Sequence, residues 1–188
     1  MQFFQGIFSR LPILETERLI LRPMRMQDAR DLFAYAQDPE VSRHVLWDAH
    51  KTIGQYRQYL RAAIRQYRQG LPASYAITLR QSGRMIGTIG FMWVNLDHKS
   101  AELGYSLSRA YWNQGIMTEA LRRIVAFSFD ELKLNRLEAQ HDKENPASGR
   151  VMAHVGMHYE GTLRQRLMNK GRYVDVALYA ILRSDPRL

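Results

Sequence analysis

The residues from 111 to 127, YWNQGIMTEALRRIVAF, join a loop to a strongly apolar helix through one glycine, Gly115. At a helix N-terminus the first backbone N–H groups have no partner inside the helix, and the helix dipole places positive charge there. Gly115 has no Cβ, so a bulky anion can approach the backbone at this point. The pattern is compatible with a pyrophosphate site built from amide donors. It is equally compatible with an ordinary turn in which the glycine only supplies a positive φ.

The composition limits the other chemistry that the chain can carry. The chain has 188 residues, enough for one buried core, and its 46% hydrophobic and 24% charged residues are typical of a globular protein. It has no cysteine, which excludes disulfides, thiolate metal sites and a cysteine nucleophile. His154 and His158 have helical spacing, but Gly156 interrupts them and no zinc motif is present, so we expect no metal. No apolar run approaches the roughly 20 residues of a membrane helix, and we expect a cytoplasmic protein without a membrane partner.

The charge balance is basic, with a formal net charge of +9 and a pI of about 10.0. Such a charge suits nucleic acid, a phosphorylated cofactor or a ribosomal surface, and it also occurs in a basic protein from a basic proteome. Arginines recur at helical spacing on one side of the segment 52–70: Arg57, Arg61, Arg65 and Arg68. We interpret them as a solvated face opposite a tyrosine-rich core face, or as the border of an acceptor site. Direct nucleic-acid binding is therefore not expected.

The periodicity of apolar residues predicts the elements that position the Gly115 loop. Strands are predicted at 18–23, 74–80, 85–94, 100–108, 136–142 and in two long segments around 169–171; helices are predicted at 26–38, 52–70, 116–132 and 145–156. Their sum is a single α/β (α+β) domain over residues 1–188, with a mixed, mostly antiparallel sheet and helices on both faces. Residues 1–14 are predicted to be an N-terminal extension, whose apolar FFQGIF could serve a homodimer together with the long terminal strands.

Several segments resemble, in the same order, the GNAT superfamily of N-acetyltransferases, and most closely its ribosomal-protein N-terminal acetyltransferases (RimJ/RimL type). ELGYSLSRAYWNQGIMTEAL is similar to the acetyl-CoA-binding segment of that family. In the family's pattern Arg/Gln-x-x-Gly-x-Gly/Ala only the central Gly115 matches strictly, because Trp112 and Met117 occupy the outer places. ETERLILRPM resembles the family's N-terminal strand, and residues 134–165 resemble its Asn-x-x-Ser helix and the Gly-(Met/Phe)-x-x-Glu-Gly-x-x-Arg segment that follows. The resemblance covers about residues 15 to 183.

This resemblance implies an enzyme that takes an acetyl group from acetyl-CoA, with the coenzyme supplying the activated acyl group and the protein supplying its position. It implies that backbone amides from Gln114 to Thr118 hold the pyrophosphate. The strand ending at Leu107 is expected to splay from its neighbour and to free backbone groups for the pantetheine arm. The other cofactor contacts that we expect come from Tyr105, Trp112, Asn113, Gly115, Ile116, Met117, Asn145 and Ser148. Asn145 is also the expected N-cap of the helix that begins at Pro146.

The resemblance also implies the catalytic residues. Glu102 is expected to act as general base, directly or through water, and Ser148 is expected to protonate the departing thiolate. For Glu102 the alternatives are a charge on the solvent face of the strand or an ion pair. For Ser148 the alternative is a small residue in the first turn of the helix. A terminal α-amine has a pKa of about 7.7–8.0, against about 10.4 for lysine, so it needs less help from a base during direct attack in a ternary complex.

The acceptor is not fixed by the residues. Within this branch, the resemblance implies the N-terminal serine or alanine of a ribosomal protein. Similar chains acetylate small-molecule amines, and the basic charge argues mildly against a polycationic acceptor. A basic RNA-binding module, or a module that senses acetyl-CoA without turnover, is the alternative from another functional class.

Overall fold

The computed structural model describes residues 2–49 and 51–187, with side chains from Phe4 onward. Its helices are α1 (Gln2–Ser9), α2 (Ala29–Ala36), α3 (Pro39–Ser42), α4 (Ile53–Arg68), α5 (Ile116–Asp130) and α6 (Pro146–Ala153). Its strands are β1 (Leu14–Glu15), β2 (Leu19–Pro23), β3 (Ser74–Leu79), β4 (Met85–Asn95), β5 (Ser100–Leu107), β6 (Arg136–Asp142), β7 (His158–Asn169) and β8 (Arg172–Leu182). Short 3-10 turns precede α2 at Met26–Asp28 and follow β5 at Arg109–Tyr111. Within the described residues no helix is both long and apolar enough to cross a bilayer.

The strands form one eight-stranded sheet in the order β1-β2-β3-β4-β5-β6-β8-β7. Neighbouring strands in the described sheet are antiparallel except β5 and β6, which are parallel because α5 connects them as a crossover. This confirms the predicted fold class, a mixed and mostly antiparallel sheet with helices. The predicted hairpins are also present: β3 turns into β4 through Gly83, and β7 turns into β8 through Lys170 and Gly171.

Helices cover both faces of the sheet. Side chains alternate along a strand, so Thr88 and Ile89 of β4 point to opposite faces. On one face the hydroxyl of Tyr35, from α2, contacts Thr88 and Ser106. On the other face Phe127, from α5, packs edge-on against Tyr75, whose Cα pairs with that of Ile89. The apolar stripe of α5 is therefore buried against the sheet, which fixes the position of its N-terminus.

The segment predicted to be an N-terminal extension packs, over its described residues, against the rest of the domain. Phe8, Leu11 and Leu14 are buried, and the Phe8 ring centroid lies 5.5 Å from that of Phe91. The C-terminal end of α4 is also packed against α1: a Cβ at Gly70, whose φ is +64°, would lie only 2.6 Å from the carbonyl oxygen of Gln5. Residues 4–14 thus contribute side chains to the same core as the rest of the domain, and a short strand, β1, precedes the predicted first strand.

Candidate active site

The loop before α5 presents unpaired backbone donors. Gly115 is the N-cap residue of α5 and has a left-handed conformation, with φ 72° and ψ 2°. The first bond into the helix is donated by the amide of Glu119 to the carbonyl of Gly115, at 3.0 Å. The four preceding amides, from Gly115 to Thr118, have no acceptor within the described part of the chain, as expected at a helix N-terminus. They form the kind of positive concavity that holds a phosphate.

Three side chains hold this loop in place. The Arg18 guanidinium donates from Nε to Glu119 Oε2 at 2.6 Å and from Nη1 to the Gln114 carbonyl at 2.9 Å. The hydroxyl of Thr16 donates to Glu119 Oε1 at 2.6 Å. Burial by itself would raise the pKa of Glu119, but the hydrogen bonds from Thr16 and Arg18 outweigh it and lower the pKa. The negative charge next to the free amides is therefore neutralised by Arg18, which removes its repulsion of a bound anion.

Trp112 and Met117, the departures from the family pattern, do not block the amides. The indole of Trp112 donates from Nε1 to the carbonyl of Leu107 at 2.8 Å and so ties the loop to the end of β5. Met117 is buried, so its side chain packs in the core and does not project into the loop. The side-chain amide of Gln114 is bonded to the Ala110 carbonyl at 2.8 Å, and Asn113 has a positive φ of 58°. These side chains shape the loop while the backbone N–H groups remain free.

The parallel strands β5 and β6 separate beside this loop. Their pairing runs from Ser100 with Arg136 to Leu103 with Ala139 and ends there. β5 continues to pair with β4 as far as Leu107, and β6 continues to pair with β8 as far as Asp142. The two halves of the sheet therefore diverge and leave the β6 side of residues 104–107 without a strand partner. We call this opening the split; its location agrees with the expected splay of the strand that ends at Leu107.

Glu102 lies where the split begins, on one face of the sheet. Its carboxylate accepts a hydrogen bond from Trp93 Nε1 at 2.6 Å and one from Gln140 Nε2 at 2.9 Å. The two donors fix the carboxylate in position, and each oxygen keeps a second lone pair for a further donor. Among the described residues, no Lys, Arg or His pairs with Glu102. The carboxylate of Glu102 is therefore held by hydrogen bonds and not by an ion pair within the described residues.

Tyr105 and Ser148 meet on the opposite face of the sheet. The Tyr105 hydroxyl lies 2.8 Å from Ser148 Oγ and 3.1 Å from the Ser148 carbonyl oxygen, so it joins β5 to the first turn of α6 across the split. Burial raises the pKa of Tyr105 well above its usual range, which keeps the phenol protonated. Odd and even positions of β5 face opposite ways, so Glu102 and Tyr105 approach the split from its two faces.

Asn145 occupies the predicted N-cap position of α6, with Pro146 as the first helical residue. Its side chain makes no capping hydrogen bond, however, because its ψ of 69° lies outside the extended region usual for a capping residue. The backbone amide of Asn145 instead donates to the carbonyl of Asp142 at 2.7 Å. The Asn145 carboxamide therefore does not cap the helix and is available for another partner.

The predicted residues lie in two places, the loop before α5 and the split, and we call the path between them the groove. The amides of 115–118 lie at the end of β5 that leads into α5, while Glu102, Tyr105 and Ser148 surround the split. Two surface depressions, of about 510 and 690 Å³, are lined by other residues: Met26, Arg61, Ile64, Arg65 and Arg68 for one, and Trp47, Asp48, Ala49, Lys51, Thr52 and Gln55 for the other. Neither depression includes the free amides or the residues around the split, which together mark the candidate site.

Sequence reasoning missed the residues that support the site. The Arg18–Glu119 pair joins positions 101 residues apart, and Trp93 and Gln140 reach Glu102 from two different strands. The one local signal was an acidic residue in the first turn of α5, where a carboxylate is usually favourable to the helix. Its neutralisation by Arg18 depends on how the residues just before β2 meet the first turn of α5, which has no local signature.

Comparison with known proteins finds acetyltransferases that resemble most of the chain. Residues 18–158 match the family described as acetyltransferase (GNAT) domain. "Uncharacterized N-acetyltransferase p20" of Bacillus licheniformis is 32% identical over 172 residues, which cover 92% of this chain and 97% of that protein. "Ribosomal-protein-serine acetyltransferase" of Escherichia coli is 33% identical over 96 residues, which cover 51% of this chain and 54% of that protein. A solved structure of RimL, a "Ribosomal L7/L12 alpha-N-protein acetyltransferase in complex with Coenzyme A", has a TM-score of 0.82 at 22% identity and covers 91% of this chain and 98% of its own.

Proposed function

The chain belongs to the GNAT family of N-acetyltransferases, with acetyl-CoA as the acetyl donor, and we propose that its acceptor is the α-amine at the N-terminus of a protein. The observation that carries this proposal is the single carboxylate at the split, Glu102, which has no cationic partner among the described residues. The other acidic side chains nearby are already engaged: Glu138 with Arg136 at 3.0 Å, and Glu144 with Arg172 at 2.9 Å. One carboxylate without a cationic partner suits an acceptor that carries one ammonium group.

The same charge distribution disfavours a polyamine acceptor. A polyamine carries several ammonium groups, and a binding groove for it needs several carboxylates without cationic partners. The chain has a net charge of +9, which repels a polycation at long range. The names of the Escherichia coli ribosomal-protein-serine acetyltransferase and of RimL add support from relatives for a protein N-terminus, and a serine or alanine N-terminus of a ribosomal protein is the specific form we propose.

The residues present fit coenzyme A along the groove. The free amides of Gly115 to Thr118 would hold the pyrophosphate, and the unpaired β6 side of residues 104–107 would receive the amide groups of the pantetheine arm. The carboxamide of Asn145 is available for the same arm. When bound, the coenzyme supplies a thioester carbonyl that an amine can attack.

Two side chains would handle the protons, one from each face. Glu102, held by Trp93 and Gln140, would take a proton from the attacking amine. Ser148, in contact with the protonated Tyr105, would offer a proton to the sulfur that leaves. The protein would also accelerate the reaction by positioning, because an amine held next to the thioester reacts in an effectively unimolecular step.

An acceptor panel tests the proposed function. We would compare a peptide with a free N-terminal serine and no lysine, the same peptide with a blocked N-terminus and one added lysine, and spermidine. Release of coenzyme A gives the rate, and mass spectrometry of the peptide gives the modified position. We expect the free α-amine to be acetylated fastest. A higher kcat/KM for the lysine peptide or for spermidine would replace the proposal with a side-chain or small-molecule acceptor.

A further inference from the structure

A histidine and an aspartate that the proposed chemistry does not use form a close pair beyond the split. His44 follows α3, and its Nδ1 lies 3.0 Å from Oδ2 of Asp142, the last residue of β6. The Asp142 side chain is 3% exposed, whereas that of His44 is 18% exposed. A buried carboxylate therefore holds an imidazole that reaches solvent.

The surroundings of Asp142 keep it ionised. Burial alone would raise the pKa of Asp142, but His44, the amide of Glu144 and the nearby Arg172 guanidinium outweigh burial and lower the pKa. The Glu144 amide donates to Oδ1 at 3.0 Å, and Arg172 Nη2 lies 3.8 Å from Oδ2. An ionised carboxylate only accepts hydrogen bonds, so the proton of a neutral His44 ring is on Nδ1. The lone pair is then on Nε2, which has no hydrogen-bond partner among the described residues.

The pair lies on the same face of the sheet as Glu102. Gln140, which donates to Glu102, and Asp142 are two residues apart on β6, so their side chains point to one face. Two residues of strand span about 7 Å, which places Asp142 one step further along the diverging strand. Asp142, which contacts His44, therefore lies on the face of the sheet that carries Glu102, the face on which an acceptor amine would approach the split.

The backbone around His44 is held firmly. Lys170, at the turn between β7 and β8, donates from Nζ to the carbonyls of Ser42 and Val45, at 2.8 Å each. These carbonyls precede and follow His44 in the chain. Other charged groups near the segment are paired. Arg43 lies 3.6 Å from Glu40 and Lys170 lies 3.9 Å from Asp48. Glu144, whose charge also acts on His44, lies 2.9 Å from Arg172. Asp142 is thus the charged group that directly contacts the His44 ring.

From this arrangement we propose that His44 is a second proton acceptor of the acetyl transfer, oriented by Asp142, and that it deprotonates the primary ammonium of the acceptor. This inference rests on the acceptor position proposed above. Imidazole is the side chain that most often acts as a general base, and a carboxylate on Nδ1 holds the ring in the required tautomer.

Two protons must leave the nitrogen of the acceptor ammonium during the transfer. The ammonium nitrogen gives one proton to His44 Nε2, and the resulting neutral amine attacks the thioester carbonyl carbon. A C–N bond forms, the C–S bond breaks, and the nitrogen gives a second proton to Glu102. The sulfur leaves as a thiolate and takes a proton from Ser148. Exchange with water restores all three groups, so two protons leave the nitrogen, one ends on sulfur and one reaches solvent.

The kinetic test uses the His44→Gln variant and follows kcat/KM from about pH 6 to about pH 9.5, across the α-amine pKa of about 7.7–8.0. The probes are the free N-terminal serine peptide and n-butylamine, whose pKa lies near the 10.4 of lysine. With the peptide we expect a loss of about tenfold at pH 7 that shrinks toward parity at about pH 9.5, because the free amine no longer needs a base. With n-butylamine the loss should persist across this range. His98→Gln, an exposed histidine in the turn between β4 and β5, is the matched control and should behave as wild type.

Two results would overturn the inference: an unchanged rate at every pH, or a loss that is equal at every pH, which is the signature of a structural role. Asp142→Asn should show the same pH-dependent loss of kcat/KM. A melting temperature close to that of wild type would show that this variant is folded and has lost only the orientation of the His44 ring. Nitrogen-15 NMR of the imidazole rings gives an independent reading, since we expect the neutral His44 ring to carry its proton on Nδ1. A ring protonated on Nε2 would contradict the proposal. If wild type acetylates n-butylamine and rejects the peptide, the proposed acceptor fails while the His44 test proceeds on n-butylamine.

Discussion

Gly115 offers a sharp test of the pyrophosphate site, because a second glycine, Gly83, has nearly the same positive φ. Gly115 has φ 72° and Gly83, in the turn between β3 and β4, has φ 68°. A Cβ at Gly83 would meet no atom within 4 Å, and one at Gly115 would lie 3.5 Å from Arg18 Nη2, an ordinary contact. Alanine at either position should therefore be strained by its backbone and not by a clash.

The two alanine variants should lose similar stability. A left-handed conformation costs a residue with a Cβ roughly 1–2 kcal/mol relative to glycine. For a domain of this size each kcal/mol lowers the melting temperature by about 2–4 °C. Gly115→Ala and Gly83→Ala are therefore both expected to melt about 2–8 °C below wild type in a thermal unfolding experiment.

Only one of the two variants should bind acetyl-CoA more weakly. Hydrogen bonds from an amide to a charged group contribute about 1.5–3 kcal/mol, so loss of one such bond to phosphate weakens binding by about tenfold or more. Isothermal titration should show this increase in Kd for Gly115→Ala, while Gly83→Ala keeps the wild-type Kd. S-acetylpantetheine, which has no pyrophosphate, should react equally well with all three proteins. Equal acetyl-CoA affinity in the two variants would refute the placement of the pyrophosphate at this helix N-terminus.

Three further predictions concern the residues around the groove. Glu102→Gln should lower kcat by about 10²–10⁴-fold and shift the pH–rate profile upward at unchanged acetyl-CoA affinity; an unchanged profile rejects Glu102 as the base. Ser148→Ala should slow the chemical step in single-turnover experiments, and full activity in that variant would remove its role as the acid. Glu119→Gln should lower the free energy of unfolding at neutral pH by about 1 kcal/mol, as for an ordinary hydrogen bond. Because the folded-state pKa of Glu119 is lowered, its contribution is present above the unfolded value near 4.5 and is lost as the pH falls through the folded value. Denaturation curves should therefore converge for wild type and Glu119→Gln in acid, and a difference that persists there would contradict this origin.

The elements that position the groove could be predicted from local patterns. The Thr52–Gln55 capping box, the helix from Ile116 and the strand over 136–142 are all present, because capping and side-chain periodicity are short-range properties. The role of the N-terminal residues could not be predicted in this way. Phe8 is buried through its contact with Phe91, and a short amphipathic helix gives no indication of whether it packs on its own domain or on a partner.

The side-chain contacts of the site depend on separations that no local pattern records. Tyr105 meets Ser148 across 43 residues, and His44 meets Asp142 across 98. Such pairs become visible only when the register of β5, β6 and the helices is fixed. For Asn145 the local pattern predicts the N-cap position correctly, but the expected capping hydrogen bond from its side chain is absent.

A backbone amide NMR titration with acetyl-CoA tests the proposed site most directly, because particular amides are expected to contact the coenzyme. We expect the largest shift changes at residues 115–118 and 104–107, with saturation at one acetyl-CoA per chain. Adenosine diphosphate, as a fragment control, should move the first group and leave the second unchanged. Saturable changes centred on the depression formed by Met26, Arg61 and Arg65, with residues 115–118 unaffected, would contradict the assignment of the groove.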